Sequence, residues 1–195
     1  MTPLPTPSIE PLTRAQVLVA MGITAVVLLA IAKAWLYFEP AIQLPVILSW
    51  RDGGLGVALG VGFTLASGAM YERWGHYRRS ADEYLAIVLK PLHWPDLLWL
   101  GLLPGLSEEL LFRGVMLPAI GLNGLGIVVS GASFGVLHLS SVQQWPYVVW
   151  ATVIGVLLAI SAVATGNLLV PIVAHVVTNL ASSMVWKLRQ REPAE

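Results

Sequence analysis

Six stretches of mostly apolar residues, each near the length a helix needs to cross a bilayer, dominate this chain. They cover about residues 15–37, 54–71, 96–117, 125–139, 146–164 and 168–186. A helix crossing the hydrocarbon takes roughly 20 such residues. Lipid offers no partner to a free backbone N–H or C=O, so segments of this kind must bond internally. The expectation is an all-α, polytopic membrane helix bundle with about six transmembrane helices. Composition agrees: 56% of the 195 residues are apolar and 11% are charged, less than half the charged share of a soluble domain. Eleven basic residues balance eleven acidic ones, which leaves no electrostatic basis for a nucleic-acid partner. The absence of cysteine excludes a disulfide framework, a Cys-ligated metal and a thiol nucleophile together.

The connections set an orientation. Pro3, Pro5, Pro7 and Pro11 deny helix hydrogen bonds to the first residues, which read as a loose tail. The apolar stretch after Arg14 is long and lacks a small-residue cleavage site, so it reads as a retained first span. Residues 72–90 mix Arg73, Arg78, Arg79, Asp82 and Glu83 with Trp74, Tyr77, Tyr84 and Leu85, the pattern of an interfacial, partly amphipathic connection. With six spans, Arg14, Arg73, Arg78, Arg79, Lys90, Lys187, Arg189 and Arg191 share one side, eight of the eleven basic residues. Lys33 and Arg51 lie on the other. The positive-inside bias puts both termini in the cytoplasm. The expected location is a prokaryotic plasma membrane, with lipid as the first partner.

The third stretch carries Ser107-Glu108-Glu109-Leu110-Leu111-Phe112-Arg113. A charge at the bilayer centre costs about 2.5–3.5 kcal/mol on the mildest scale, so these groups need partners inside the bundle. On an α-helix Glu109 and Arg113 stand about 40° apart and can pair along one face. Glu108 lies about 100° from Glu109 and about 140° from Arg113. The division is an ion pair, Glu109 with Arg113, beside a freer carboxylate. A carboxylate without a cation in apolar surroundings suits a general base.

Two further polar groups follow. The fourth stretch holds Phe134-Gly135-Val136-Leu137-His138, and the sixth holds His175 and Asn179, four apart on one helical face. Should the three helices meet, Glu108, His138, His175 and Asn179 would converge on one pocket able to activate a water. His76 and His93 sit in the charged connection and read as solvated.

These residues resemble the CAAX prenyl-protease and bacteriocin-processing intramembrane proteases, the CPBP or Abi family. The likeness rests on Glu108-Glu109-x-x-x-Arg113, Phe134-x-x-x-His138 and His175-x-x-x-Asn179 in that order, with Phe112-Arg113-Gly114 and Asn167 through Pro171 as flanks. It implies an intramembrane endopeptidase acting on a membrane-associated peptide or protein. It also implies that Glu108 activates the attacking water, His138 holds it, and His175 and Asn179 stabilise the oxyanion. Glu109 and Arg113 would brace the site. The family's metalloprotease label makes Glu108, His138 and His175 the candidate ligands of a divalent metal such as zinc, although H-E-x-x-H is absent and a metal-free mechanism fits equally. The chain then divides into a tail at 1–13, N-terminal spans and connection at 14–94, a catalytic core at 95–187 and a tail at 188–195.

Two other readings compete. Gly131-Ala132-Ser133-Phe134-Gly135 fits G-x-S-x-G and, with His175, would imitate the dyad of rhomboid-type serine proteases. Gly131 and Gly135, four apart, equally form a helix-packing face, and Gly56/Gly60 and Gly101/Gly105 repeat that spacing. A catalytically idle membrane scaffold or bacteriocin-immunity protein is the non-enzymatic alternative.

Overall fold

The computed structural model of the protein describes residues 11–39 and 43–190. Most of the expected N-terminal tail, and residues 191–195, lie outside the described residues. The regular structure among the described residues is helical: α1 (Arg14–Phe38), α2 (Trp50–Arg73), α3 (Gly75–Leu89), α4 (Leu97–Glu109), α5 (Leu117–Ile120), α6 (Gly124–Val136), α7 (Trp145–Thr165) and α8 (Leu169–Arg189). A π-helical segment, Leu110–Met116, joins α4 to α5 in one continuous rod.

The helix ends follow local chemistry. Thr13 starts α1 with a reciprocal capping box to Gln16, and Ser49 caps α2 by accepting the Asp52 N–H. Asn123 Oδ1 takes the Leu125 and Gly126 N–H groups at the start of α6. These bonds satisfy donors that a helix N-terminus otherwise leaves open. Gly166, at φ +64°, ends α7 in the left-handed conformation that glycine adopts without strain.

All six expected stretches are helical, and α1, α2, α7 and α8 are long and apolar enough to cross a membrane. The other two differ from a simple span. Helix α6 has 13 residues, about 20 Å at the α-helical rise. The α4–α5 rod contains three charges and a π-helical insert. The connection at 72–90 forms α3, with Tyr77, Ser80, Ala81 and Leu89 buried and Arg78, Arg79 and Glu83 exposed.

The small-residue pairs are helix contacts. A Cβ on Gly56 would lie 2.7 Å from Val173 Cβ, and one on Gly60 would lie 2.7 Å from the Ala174 carbonyl oxygen. Cβ atoms on Gly101 and Gly105 would strike Leu180 and Val176. Helix α8 is therefore gripped by α2 on one side and α4 on the other. Gly131 and Gly135 press against Val156 and Thr152 of α7 in the same way. Gly60→Ala should lower stability by about 1–3 kcal/mol through overpacking, read as thermal unfolding in detergent. Gly62→Ala is the control: a Cβ there meets nothing within 4 Å, so it should be neutral or slightly stabilising.

Polar clips fix both ends of the bundle. The Arg14 guanidinium donates two 2.7 Å bonds to Asp96, tying α1 to the start of α4. At the other end an extended strap, residues 43–49, runs beside the start of α8. Buried Asn167 accepts the Ile47 N–H at 2.9 Å and donates to Ile47 O and Asp52 Oδ2, each at 2.8 Å. Leu44 N–H reaches Gly114 O at 3.4 Å.

Candidate active site

Among the described residues the largest fully buried side chain is a cation, Arg113. Its Nη1 donates to Glu109 Oε1 at 2.7 Å and its Nη2 to the Gly155 carbonyl at 2.7 Å. Both side chains of this pair have no exposure. The guanidinium also lies over the Phe134 ring, 4.5 Å from its centroid. The expected i,i+4 pair is present, but on a different backbone, since Arg113 belongs to the π-helical segment. Such segments widen the helix and concentrate at functional sites. The freed geometry is satisfied sideways: Ser130 Oγ donates to Phe112 O at 2.9 Å.

Glu109 has a second partner that local spacing does not reveal. His175 Nδ1 lies 2.8 Å from the same Oε1 that Arg113 holds. A carboxylate accepts, so Nδ1 carries the proton, and Nε2 is the ring atom left for chemistry. Helix α8 thus reaches α4 through a buried His–Glu–Arg chain.

Glu108 differs from its neighbour. It is buried, 7% exposed, yet its Oε2 has no hydrogen-bond partner among the described residues. It lines a cavity of about 460 Å³ together with His138, His175 and Asn179. The four residues expected to meet do face one space. His138 stands just beyond the end of α6, with Nδ1 3.0 Å from Phe134 O. A carbonyl also only accepts, so here too Nδ1 is the donor and Nε2 is left free. Two further orphans, Glu109 Oε2 and Arg113 Nε, sit beside the pair. Unpaired buried polar atoms are uncommon in folded proteins and concentrate where chemistry is done.

Aromatic rings surround the site, one from a motif, Phe134, and two that no motif announces, Tyr84 and Tyr147. Phe134 lies tilted against His138 at 4.9 Å and edge-on to His175 at 5.4 Å, so one ring touches both imidazoles and Arg113. Tyr84 from α3 and Tyr147 from α7 also line the cavity, stacked on each other at 4.5 Å. Burial, with the charge of Glu108 adding, pushes the Tyr84 phenol up to about 12, so it stays protonated at neutral pH. Ser133 is not among the cavity-lining residues, and the glycines either side of it pack on α7. That geometry favours the packing reading of G-x-S-x-G over the serine dyad.

The candidate metal ligands do not assemble into a metal site. Among the described residues no three His, Asp or Glu side chains stand together so as to hold a metal ion. The His175 nitrogen nearest a carboxylate is already bonded to Glu109, which Arg113 neutralises.

Comparison with known proteins bears on the same region. Residues 90–181 match the Rce1-like family, type II CAAX prenyl endopeptidases. Over that segment the chain is similar to this family. The segment contains Glu108, Glu109, Arg113, His138, His175 and Asn179, so the resemblance read from the motifs holds. At family level the match supports a CAAX-type intramembrane protease. The chain is also 37% identical over 81 residues to the uncharacterized protein YpbD of Bacillus subtilis (strain 168), covering 42% of this chain and 40% of that protein. It therefore spans about two fifths of that relative's length. No solved structure matches.

Proposed function

We propose that this protein is an intramembrane endopeptidase that hydrolyses a peptide bond of a membrane-associated peptide or protein with a glutamate-activated water. The observation that carries the reading is the orphaned, buried Glu108 Oε2 facing a cavity shared with His138, His175 and Asn179. Glu108 takes a proton from a water that His138 Nε2 helps to hold. The hydroxide adds to the scissile carbonyl, and the oxyanion receives hydrogen bonds from His175 Nε2–H and the Asn179 amide. Glu108 then gives its proton to the leaving amine as the C–N bond breaks.

Charge counting supports these roles. Glu108, Glu109 and Arg113 together carry one net negative charge, and His175 donating from both ring nitrogens brings the sum to zero. When Glu108 gains its proton the oxyanion appears, so the sum stays at zero through the step. A low-dielectric site favours a path with no net change in buried charge. The eight basic residues on one side orient the bundle with both termini in the cytoplasm.

The reading expects His175→Ala and Asn179→Ala each to lower turnover by about 10²–10³, the usual loss of an oxyanion donor. Ser133→Ala should leave turnover unchanged. Hydrolysis rates of a cleaved membrane peptide in proteoliposomes decide this. Loss of activity in Ser133→Ala alone would transfer the reaction to a serine nucleophile.

A further inference from the structure

Of the four residues facing the cavity, His138 has the weakest backbone support. It lies two residues beyond Val136, the last residue of α6. The one hydrogen bond of its imidazole among the described residues runs back to Phe134 O. A half-buried imidazole held by a single bond from Nδ1 is free to swing about its side-chain torsions. Rings hold it instead: Phe134 at 4.9 Å, Tyr84 at 6.0 Å and Tyr147 at 6.1 Å.

Two of those rings form one wall, because Tyr84 and Tyr147 stack at 4.5 Å with 24° between their planes. Tyr84 comes from α3, outside residues 90–181 that match the protease family. The placement of α3 is itself specified. Tyr77, two turns before Tyr84 and on the same face, stacks parallel to Tyr147 at 6.2 Å and packs on Trp150 at 5.9 Å. Between them Ser80, 3% exposed, accepts the Tyr147 backbone N–H at 3.3 Å. Helix α3 is therefore registered against the first turn of α7, and that register delivers Tyr84 to His138.

We infer that Tyr84 is a positioning residue for His138, its ring closing the aromatic socket that aims the imidazole at the reacting water. Helix α3 is then a working wall of the active site. The inference rests on the proposed role of His138 in holding that water. The ring, not the phenol oxygen, does the positioning: Tyr84 meets both His138 and Tyr147 through its ring.

The test uses the full-length protein in proteoliposomes, comparing wild type, Tyr84→Leu and Tyr84→Phe. A displaced catalytic group costs up to about 10²-fold. Tyr84→Leu should lower kcat about 10- to 100-fold with KM nearly unchanged, and Tyr84→Phe should keep the wild-type kcat. In parallel, site-resolved modification by diethyl pyrocarbonate, read by mass spectrometry, should show His138 reacting several-fold faster in Tyr84→Leu and at the wild-type rate in Tyr84→Phe. Equal losses of kcat in the Leu and Phe variants would overturn the inference in favour of the hydroxyl. Unchanged His138 modification in Tyr84→Leu would overturn it whatever the activity. A wild-type protein that hydrolyses nothing would defeat the protease reading alone, with the modification rates still deciding the socket.

Discussion

Glu108→Gln should leave the bundle folded and inserted while lowering peptide hydrolysis by about 10²- to 10⁴-fold, the usual contribution of a positioned general base. The amide has the shape of the carboxylate and cannot take a proton from water. Stability should survive because Glu108 makes no ion pair and its Oε2 makes no hydrogen bond among the described residues. Removing its charge relieves a desolvation cost and breaks no contact. Turnover in proteoliposomes and thermal unfolding of the same preparation check both halves. A large fall in unfolding temperature would mean that Glu108 is a structural residue.

Arg113→Met should do the reverse and strike the fold first. Glu109 would remain fully buried with His175 as its one neighbouring donor, and the Gly155 carbonyl would lose its 2.7 Å partner. Breaking a buried pair from one side costs about 3–5 kcal/mol, because an uncompensated charge stays behind. The double variant Glu109→Gln with Arg113→Met should recover a good part of that loss, since no buried charge is left over. Thermal unfolding of the three variants closes the cycle. A single Arg113→Met variant as stable as wild type would remove the ion pair from the account.

Physical distance along the chain separates what could be read beforehand from what could not. Apolar runs locate the helices of the six expected stretches, though not α3, because lipid forces long segments to bond internally, and the spacing of Glu109 and Arg113 announces their pair. The G-x-x-x-G pairs announced close helix contacts, which lie at α2–α8, α4–α8 and α6–α7. The convergence of Glu108, His138, His175 and Asn179 was an expectation from their placement on three separate helices. The His175–Glu109 bond joins residues 66 apart, and no local pattern encodes it. The π-helical segment escaped because periodicity cannot distinguish one extra residue per turn over seven residues. By its sequence context Tyr84 is an anchoring aromatic in a charged connection, and only the docking of α3 on α7 brings it beside His138. Asn167 flanks the last motif, whereas its bonds to Ile47 and Asp52 depend on a strap and helix start 115–120 residues earlier.

The central claim is that Glu108 drives peptide-bond cleavage within the membrane. Its most direct test compares the N-termini of membrane peptides from cells carrying wild type, Glu108→Gln or Ser133→Ala at matched expression. The account predicts a set of new termini in the wild type that persists with Ser133→Ala and vanishes with Glu108→Gln, naming the substrate in the same measurement. The same termini at the same abundance in wild type and Glu108→Gln would contradict it.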